Sequence, residues 1–328
     1  MDRYIQTGNG STRNKVLSTA GAFSLALGLY GGAAGTASAS SFALDGVPVI
    51  IYDNPSTLEP VLLDEAGSTF TFGTDIEPTG ETQINNLGFR STDGLLYGWE
   101  RYNGDTEGQI VTIDSAGTVL GLGNPGLPAN QPVGTPTAYN YNAGDVSVDG
   151  DDMYLSYSNA NGNGDTLYIV DLTSAGLDLT MRNITGDSGS VADWAAHPTT
   201  GILWGGDHTG VADGNLASLD PDTGVRTDYD LAGLLDPAND KGFGASWFDN
   251  TGRLYLYDNN GKIYAIDDLG GSNTLVNGDY PLINASLGTS NNDGAAYAGP
   301  VVPVPAAVWL FASGLLGLVG IARRGKTA

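Results

Sequence analysis

The sequence predicts an all-β chain folded as a β-propeller of five or six four-stranded blades. Two observations predict it: a unit of four short strands recurs about every 50 residues, and each end of the repeating region carries an incomplete unit. The 328 residues include 49 Gly and 41% hydrophobic residues, but only 15% are charged. This composition is typical of short strands joined by many turns.

Each unit has two recognisable halves. The first half is a small-residue strand, a turn and a strand with an aromatic side chain, which we expect to pack between blades. The aromatic residues in register are Tyr97, Tyr154, Trp204 and Tyr255. The second half is an alternating strand that ends in an aspartate, which we expect to start the following turn. These aspartates are Asp114, Asp171, Asp220 and Asp267.

The incomplete units predict how the ring closes. Residues 47–73 match the second half of a unit, and residues 292–297 match a first strand with nothing after it. We expect the strand Gly294 to Tyr297 to join the first blade, because this pairing leaves no open sheet edge. The proline-rich segment 123–142 is either a loop or part of a sixth blade.

The N-terminal residues 1–39 have the order of an export signal. Arg13 and Lys15 precede a short apolar run, and the small residues that follow lead to Ala37 and Ala39. We therefore expect residues 1–39 to be a signal peptide cleaved after Ala39. The propeller domain then covers residues 40–300.

The C-terminal residues 301–328 form a second signal. Residues 306–322 contain no charge and are long enough for a short transmembrane helix, and basic residues follow at once. Before this run, Pro303 and Pro305 hold the backbone extended. A plain membrane anchor explains the apolar run, but it does not require the two prolines.

This tail resembles the VPxPA variety of the PEP-CTERM sorting signal. The matching residues are Val302, Pro303, Val304, Pro305 and Ala306 before the helix, and Arg323 and Arg324 after it. The resemblance implies recognition by an exosortase-type membrane protease or transpeptidase of a Gram-negative, exopolysaccharide-producing bacterium. It also implies transient anchoring in the inner membrane, followed by transfer to the cell surface or release. Val304 replaces the glutamate of the commoner form, which implies a different exosortase subtype.

Charge narrows the possible partners of the body. The two ends hold six of the 13 basic residues and one of the 37 acidic residues, so the body carries a net charge of −29. Such a field repels nucleic acid and anionic lipid, and it attracts cations or a basic partner. Cysteine is absent, which excludes disulfides, thiolate metal sites and cysteine nucleophiles.

The body also resembles a family of propeller-like repeat domains of unknown function in bacterial surface and secreted proteins. The repeats of that family read Gly-Phe, then Asp-Gly-x-Leu-Tyr-Gly, then Leu-Tyr-x-Ile-Asp. The resemblance covers most of residues 45–299, and it implies an architecture without implying a chemistry.

Catalytic and metal-binding candidates are few. His197 lies in a predicted turn, and His208 beside Asp207 is the one candidate for a propeller lyase or hydrolase. No cofactor is expected apart from Ca²⁺, for which oxygen-rich loops offer ligands. The candidate ligands are Asp149, Asp151, Asp152, Asn159, Asn161, Asn163 and Asp165. The loop lacks the closing glutamate of a Ca²⁺ loop, so an ordinary hairpin explains it equally.

Three functions therefore remain open. The chain is a non-catalytic surface or matrix propeller that binds an exopolysaccharide or a surface protein, an enzyme that uses His208, or a calcium-stabilised structural protein. The export and sorting signals, together with the absence of a nucleophile motif, favour the first.

Overall fold

The structure is a computed structural model, and it describes most of residues 39–298. The residues outside the description are 1–38, 44, 53–54, 65–68, 81–82, 102–107, 130–139, 158–165, 187–190, 207–214, 231–241, 260, 267–268, 270–291 and 299–328. The described residues contain strands and turns but no α-helix. The predicted signal peptide and sorting tail lie outside the described residues.

The strands form five sheets, almost entirely antiparallel, which are the blades of a five-bladed propeller. Blade 1 contains β1 (Val49–Tyr52), β2 (Thr57–Asp64) and β3 (Thr69–Phe72). Blade 2 contains β4 (Ile84–Arg90), β5 (Leu95–Glu100), β6 (Gln109–Ile113) and β7 (Val119–Gly123). Blade 3 contains β8 (Asp152–Ser156), β9 (Thr166–Asp171) and β10 (Leu179–Asn183), and residues 143–146 occupy its innermost position through isolated bridges to β8.

The remaining strands complete blades 4 and 5 and return to blade 1. Blade 4 contains β12 (Ala195–Ala196), β13 (Leu203–Gly206), β14 (Asn215–Leu219) and β15 (Val225–Asp230), with the short β11 (Thr185–Gly186) parallel to its outer edge. Blade 5 contains β16 (Phe243–Phe248), β17 (Leu254–Asp258) and β18 (Lys262–Ile266). The last strand, β19 (Asp293–Ala295), is the innermost strand of blade 1.

The ring closes as the sequence predicts. β19 pairs antiparallel with β1, with Val49 opposite Ala295 and Ile51 opposite Asp293. The described part of the chain contains five sheets. Of the two blade numbers that the sequence allowed, five and six, five is therefore correct. The predicted closing strand extended to Tyr297, whereas the paired strand ends at Ala295.

The repeat predicted from the sequence is also present in the pairing of the strands. Each repeated aromatic residue lies on the second strand of its blade and pairs with a residue of the third strand. That residue lies two positions before the repeated aspartate. The pairs are Tyr97 with Thr112, Tyr154 with Ile169, Trp204 with Ser218 and Tyr255 with Ala265. The four aromatic side chains therefore occupy equivalent positions in successive blades, as predicted.

Five apolar clusters fill the five seams between blades. Tyr97 packs at the seam of blades 2 and 3, Tyr154 at that of blades 3 and 4, Trp204 at that of blades 4 and 5, and Tyr255 at that of blades 5 and 1. The preceding residue of the same strand points to the other side, as Leu96 does at the seam of blades 1 and 2. Both faces of each second strand are thus buried, so these strands read as nearly continuous apolar runs.

The aspartates at the ends of the third strands start turns, as predicted. Asp114 Oδ1 accepts the Thr118 amide at 2.8 Å, and Asp171 Oδ1 accepts the Thr173 amide at 2.7 Å. Asp220 accepts the amide of Asp222 in the same way. Asp267 lies outside the described residues.

The seam between blades 5 and 1 leaves no room at Gly244. A Cβ atom added there would lie 1.6 Å from Asn292 Oδ1 and 2.5 Å from Asn259 Oδ1. Asn292 directly precedes the closing strand, so the innermost strands of blades 5 and 1 approach each other through a position that requires glycine.

We predict that Gly244→Ala destabilises the protein by about 1–3 kcal/mol, because the added methyl group overlaps the side chains of Asn292 and Asn259, which must move. Urea denaturation measures the change. Gly176→Ala is the matched control, since the nearest atom to an added Cβ there is 3.6 Å away. Equal stability of the two variants would contradict the close approach at the seam.

Candidate functional site

A cleft of about 320 Å³ lies beside the closing seam and is named here the closure cleft. It lies between the segment before β1, the strand β2, and the first two strands of blade 5. The residues that line it are Asp45, Gly46, Val47, Pro48, Val61, Leu62, Leu63, Trp247, Asp249 and Tyr255. Its volume falls in the range of ligand pockets, about 300–1,000 Å³.

The closure cleft combines an apolar wall with an acidic rim. Leu62 and Val47 are 47% and 40% exposed, whereas most large apolar side chains of the blades are buried. Trp247 and Tyr255 form the wall on the side of blade 5 and stack with their rings 5.8 Å apart. Both aromatic side chains are buried, which confirms that they pack between blades. Asp45 and Asp249 contribute the two carboxyl groups.

A much smaller recess, the axial cavity, is lined by residues of all five blades. Its volume is about 30 Å³, which is enough for one or two water molecules. Its lining includes one residue from each of blades 2, 3, 4, 5 and 1, which are Phe89, Val146, Ala196, Trp247 and Tyr297 in that order. The axial cavity therefore marks one end of the central axis.

Buried aspartates of the innermost segments accept backbone amides of the next blade, and one of them, Asp145, also lines the axial cavity. Asp145 Oδ2 accepts the Ala196 amide at 2.8 Å, which links blade 3 to blade 4. Asp193 Oδ2 accepts the Ser246 amide at 2.6 Å, which links blade 4 to blade 5. Asp293 Oδ2 accepts the amide of Asn86, which links blade 1 to blade 2. Asp145, Asp193 and Asp293 are named here the axial aspartates.

Burial controls the protonation of the axial aspartates. It raises the pKa of Asp145 to about 7, although the amides of Ala196 and Val146 oppose the rise. Burial also raises the pKa of Asp193 well above its usual range, and the neighbouring charge of Asp293 adds to the effect. Asp293 has a raised pKa for the same first reason, and the amides of Leu87 and Asn86 oppose it.

The axial aspartates were not predicted from the sequence. Each lies in the first strand of its unit, among residues that are otherwise small or apolar. A charged residue in such a strand is the signal that was available, since carboxylates are rarely buried without partners.

The predicted calcium loop is only partly described. Asp149 Oδ1 accepts the Ser147 hydroxyl at 2.6 Å and the Asp151 amide at 3.2 Å, an arrangement that forms a turn. Asp152 opens β8. The other candidate ligands, Asn159, Asn161, Asn163 and Asp165, lie outside the described residues. Within the part of the chain that the structure describes, no three His, Cys, Asp or Glu side chains are grouped closely enough to hold one metal ion.

The structure describes one of the two histidines of the chain, His197. His197 is a turn residue, as expected: its Nδ1 accepts the Thr199 amide at 3.2 Å, and its ring packs against Phe248. Burial lowers its pKa. His208 and Asp207, the candidates for catalysis, lie outside the described residues.

The export and sorting residues also lie outside the described residues, at positions 37 and 302–328. Ala39 is the first described residue, and it is exposed. Between residues 39 and 298, the described segments contain no helix suited to crossing a membrane. This finding does not address the predicted helix at residues 306–322.

A family model described as a repeat of unknown function, DUF6923, matches residues 50–299. No protein of curated function matches the chain. Among solved structures, the chain is similar to one chain of a nidogen–laminin complex, with 13% identity over 77% of this chain and 100% of that chain and a TM-score of 0.44. It is also similar to TolB from Acinetobacter baumannii, with 17% identity over 72% of this chain and 53% of that chain and a TM-score of 0.41. The match therefore spans about half of the TolB chain.

A separate acid pair lies in blade 1. Glu59 on β2 is 7% exposed, and its carboxyl group contacts that of Asp75. Burial, followed by the hydrogen bond with Asp75, raises the pKa of Glu59 to about 7. The folded state thus holds a proton between pH 4.5 and about 7 that the unfolded state releases. The corresponding stability is present below pH 4.5 and is lost as the pH rises through 7.

We predict that Glu59→Gln flattens this part of the pH dependence, because the amide keeps a donor for Asp75 at every pH. Relative to the wild type, the variant should gain up to about 3 kcal/mol between pH 4.5 and about 8. Denaturant titrations at several pH values measure the difference. Glu77→Gln, which changes an exposed glutamate, is the control. A wild type and a Glu59→Gln variant with parallel pH profiles would show that Glu59 is ionised throughout.

Proposed function

The chain belongs to the DUF6923 family of repeats of unknown function, and we propose that it is an exported surface protein whose propeller binds a partner without catalysing a reaction. The closure cleft is the observation that carries the binding role. This recess is large enough to hold a side chain of a partner.

The lining of the cleft favours a protein segment as the ligand. Val47 and Leu62 leave apolar surface exposed, and such surface in a recess suits an apolar side chain. Asp45 and Asp249 beside it suit lysine or arginine on either side of that side chain. The net charge of the body, −29, attracts the same kind of basic segment. The ligand proposed is therefore a basic peptide segment with an apolar anchor, presented by another surface or matrix protein.

The cleft offers little support for catalysis. Its described lining contains two carboxyl groups but no His, Lys or Ser side chain. Both carboxyl groups are engaged in turns, since Asp45 Oδ1 accepts the Val47 amide and Asp249 Oδ1 accepts the Thr251 amide. A nucleophile and a base within hydrogen-bonding reach of each other are not found among these residues.

We predict that Leu62→Lys weakens binding of basic, apolar peptides selected from a displayed peptide library, because the new positive charge replaces apolar surface on the wall of the cleft and repels the basic segment. Binding of selected peptides is measured by surface plasmon resonance, and a loss of at least tenfold in affinity is expected. Leu120→Lys is the matched control, because Leu120 lies on β7 of blade 2 and is 62% exposed. Equal affinities of the wild type and Leu62→Lys for the selected peptides would contradict the proposed site.

The surface location is proposed from the two ends of the chain. The order of basic residues, apolar run and Ala37-Ser38-Ala39 supports export, and the Pro-x-Pro segment before the apolar run supports processing rather than simple anchoring. An exosortase-type enzyme is the partner proposed for this step. The mature protein then lacks the apolar tail.

We predict that changing both Pro303 and Pro305 to Ala blocks processing, because the enzyme no longer meets extended backbone at that place. The full-length precursor should accumulate in the membrane fraction, while the wild type yields a shorter form at the surface or in the medium. Immunoblots of cell fractions measure the change, and changing Pro125 and Pro128 to Ala is the control. Mass spectrometry that recovers a surface form intact through Ala328 would instead show a plain anchor.

A further inference from the structure

A short segment near the start of the described chain, residues 40–42, lies against blade 2 and is named here the N-terminal strap. The backbone N–H of Ser40 donates to Asp114 Oδ2 at 3.2 Å. The carbonyl of Ser40 accepts the Ser115 amide at 2.9 Å. The first residue of the strap is therefore bound through both its nitrogen and its carbonyl to the turn that follows β6.

The rest of the strap is held by contacts of its own. The Phe42 amide donates to the Gly94 carbonyl at 2.8 Å, and the Phe42 ring meets that of Phe89 edge-on, with 6.3 Å between the ring centroids. A Cβ atom added at Gly94 would lie 2.8 Å from Ser41 Cβ, so the strap and this turn are in close contact. These contacts keep the nitrogen of Ser40 at Asp114 without help from the residues that precede it.

Asp114 is a preformed acceptor for the strap. Its side chain belongs to a residue that is 7% exposed, and its Oδ1 accepts the amides of Ala116 and Thr118 at 3.0 and 2.8 Å. Burial opposes the ionised form, but the amides of Thr118, Ser40 and Ala116 lower the pKa of Asp114. The carboxyl group beside the Ser40 nitrogen is therefore a carboxylate at neutral pH.

The equivalent aspartates of blades 3 and 4 bind donors of their own turns. A threonine hydroxyl of the turn donates to each carboxyl group, from Thr173 to Asp171 at 2.6 Å and from Thr223 to Asp220 at 2.7 Å. At Asp114 the corresponding positions hold alanine and glycine, and the Ser40 amide approaches from outside the turn. Among the described residues, this donor distinguishes Asp114 from its two counterparts.

The predicted signal-peptide cleavage falls at this donor atom. Hydrolysis after Ala39 adds the hydroxyl of water to the Ala39 carbonyl carbon and a proton to the Ser40 nitrogen, which becomes a free α-amine. An α-amine has a pKa of about 7.7–8.0, so a second proton from solvent makes it an ammonium group at neutral pH. The compact unit that contains the propeller begins at Ala39, so the cut removes only the first residue of that unit.

We propose that Asp114 is the binding site for the α-ammonium group of the mature chain, so that signal-peptide cleavage creates an ion pair between the strap and blade 2. The site depends on the export proposed above, because only cleavage after Ala39 places an ammonium group there. The nitrogen already lies 3.2 Å from Asp114 Oδ2, so the ion pair needs no movement of the strap. The net charge of the body, −29, attracts the same positive group.

The ion pair should make the stability of the mature chain depend on pH. Besides Asp114, the charged groups on the elements packed against the strap are Glu77, which is exposed, and the ion pair of Arg90 with Asp93. A carboxylate partner raises the pKa of the α-amine in the folded state. Its contribution to stability is therefore complete below about pH 8, the unfolded value, and is lost as the pH rises through the folded value.

The test compares two forms of the chain that differ by one residue. Both end at Ala328 and are released from a cleavable N-terminal fusion, one starting at Ser40 and the other at Ala39. At pH 7 we expect the Tm of the Ser40 form to be about 2–4 °C higher, because the extra residue moves the ammonium group away from Asp114. The difference should disappear above about pH 10, where the α-amine is neutral.

Asp114→Asn decides whether this carboxyl group is the partner. In that background the Ser40 and Ala39 forms should have equal Tm values, even if the substitution itself destabilises the turn, because only the difference between the two forms is compared. Asp171→Asn is the matched control and should retain the difference, since Asp171 binds its own turn. Equal Tm values of the two forms without a substitution, or a difference that survives Asp114→Asn, would overturn the ammonium site.

Two further measurements complete the test. If Asp114→Asn does not fold, NMR titration of the α-amine in the Ser40 form decides, and a pKa of about 8 or less would overturn the site. N-terminal sequencing of the exported protein tests the proposed function separately. A mature chain that starts at Ser40, together with equal Tm values of the two forms, would leave export standing and overturn the site. A mature chain that starts elsewhere would overturn the cleavage after Ala39, and the natural N-terminus would then not be the ligand of Asp114.

Discussion

The propeller depends on the pairing of a three-residue strand with the first strand of the body. β19 contributes the innermost position of blade 1, where it lies between β16 of blade 5 and β4 of blade 2. The pairing is reinforced from the inside, because Asp293 of the same strand accepts the amide of Asn86 in blade 2. A single short segment therefore contacts two neighbours and completes the ring.

The other blades are joined by the same two means. An apolar cluster fills each seam, and at three of the seams a buried aspartate accepts an amide of the next innermost strand. The apolar clusters supply the larger stabilisation, because each buries several large side chains. The aspartates add direction, since a carboxylate accepts two amides only in a narrow geometry. Burying the charged form of these groups costs free energy, which is why their pKa values are raised.

Much of the fold could be predicted because each repeat carries characteristic residue types at fixed positions. The aromatic residue on the second strand and the aspartate after the third indicated the register of the units and limited the blade number to five or six. The closing strand could be predicted because Asn292 to Tyr297 matches a first strand that has no successor. Its end could not be placed, because pairing stops where the backbone leaves the sheet, and no residue type marks that point.

The candidate sites were much harder to predict, for a physical reason. The closure cleft joins residues 45–48 and 61–63 to Trp247 and Asp249, so it exists only after the ring has closed. The axial aspartates likewise bind amides of other blades, and Asp193 and Asp293 each look like ordinary polar residues in their own strands. Local sequence patterns report neighbours along the chain, whereas these sites are made of neighbours around the axis. The turn-forming roles of Asp114, Asp171 and Asp220, which accept amides of their own turns, were predicted correctly.

The position of the closing strand also sets the order in which the molecule assembles. β1 is made near the beginning of the chain and β19 near its end, so their contact has a very large sequence separation. Contacts of this kind form slowly, because a long loop must be ordered before they contribute. Until β19 arrives, β1 presents a free edge of backbone donors and acceptors to any other extended chain. The growing protein is thus open to strand exchange and aggregation for most of its synthesis, and it becomes a closed molecule only with its final strand.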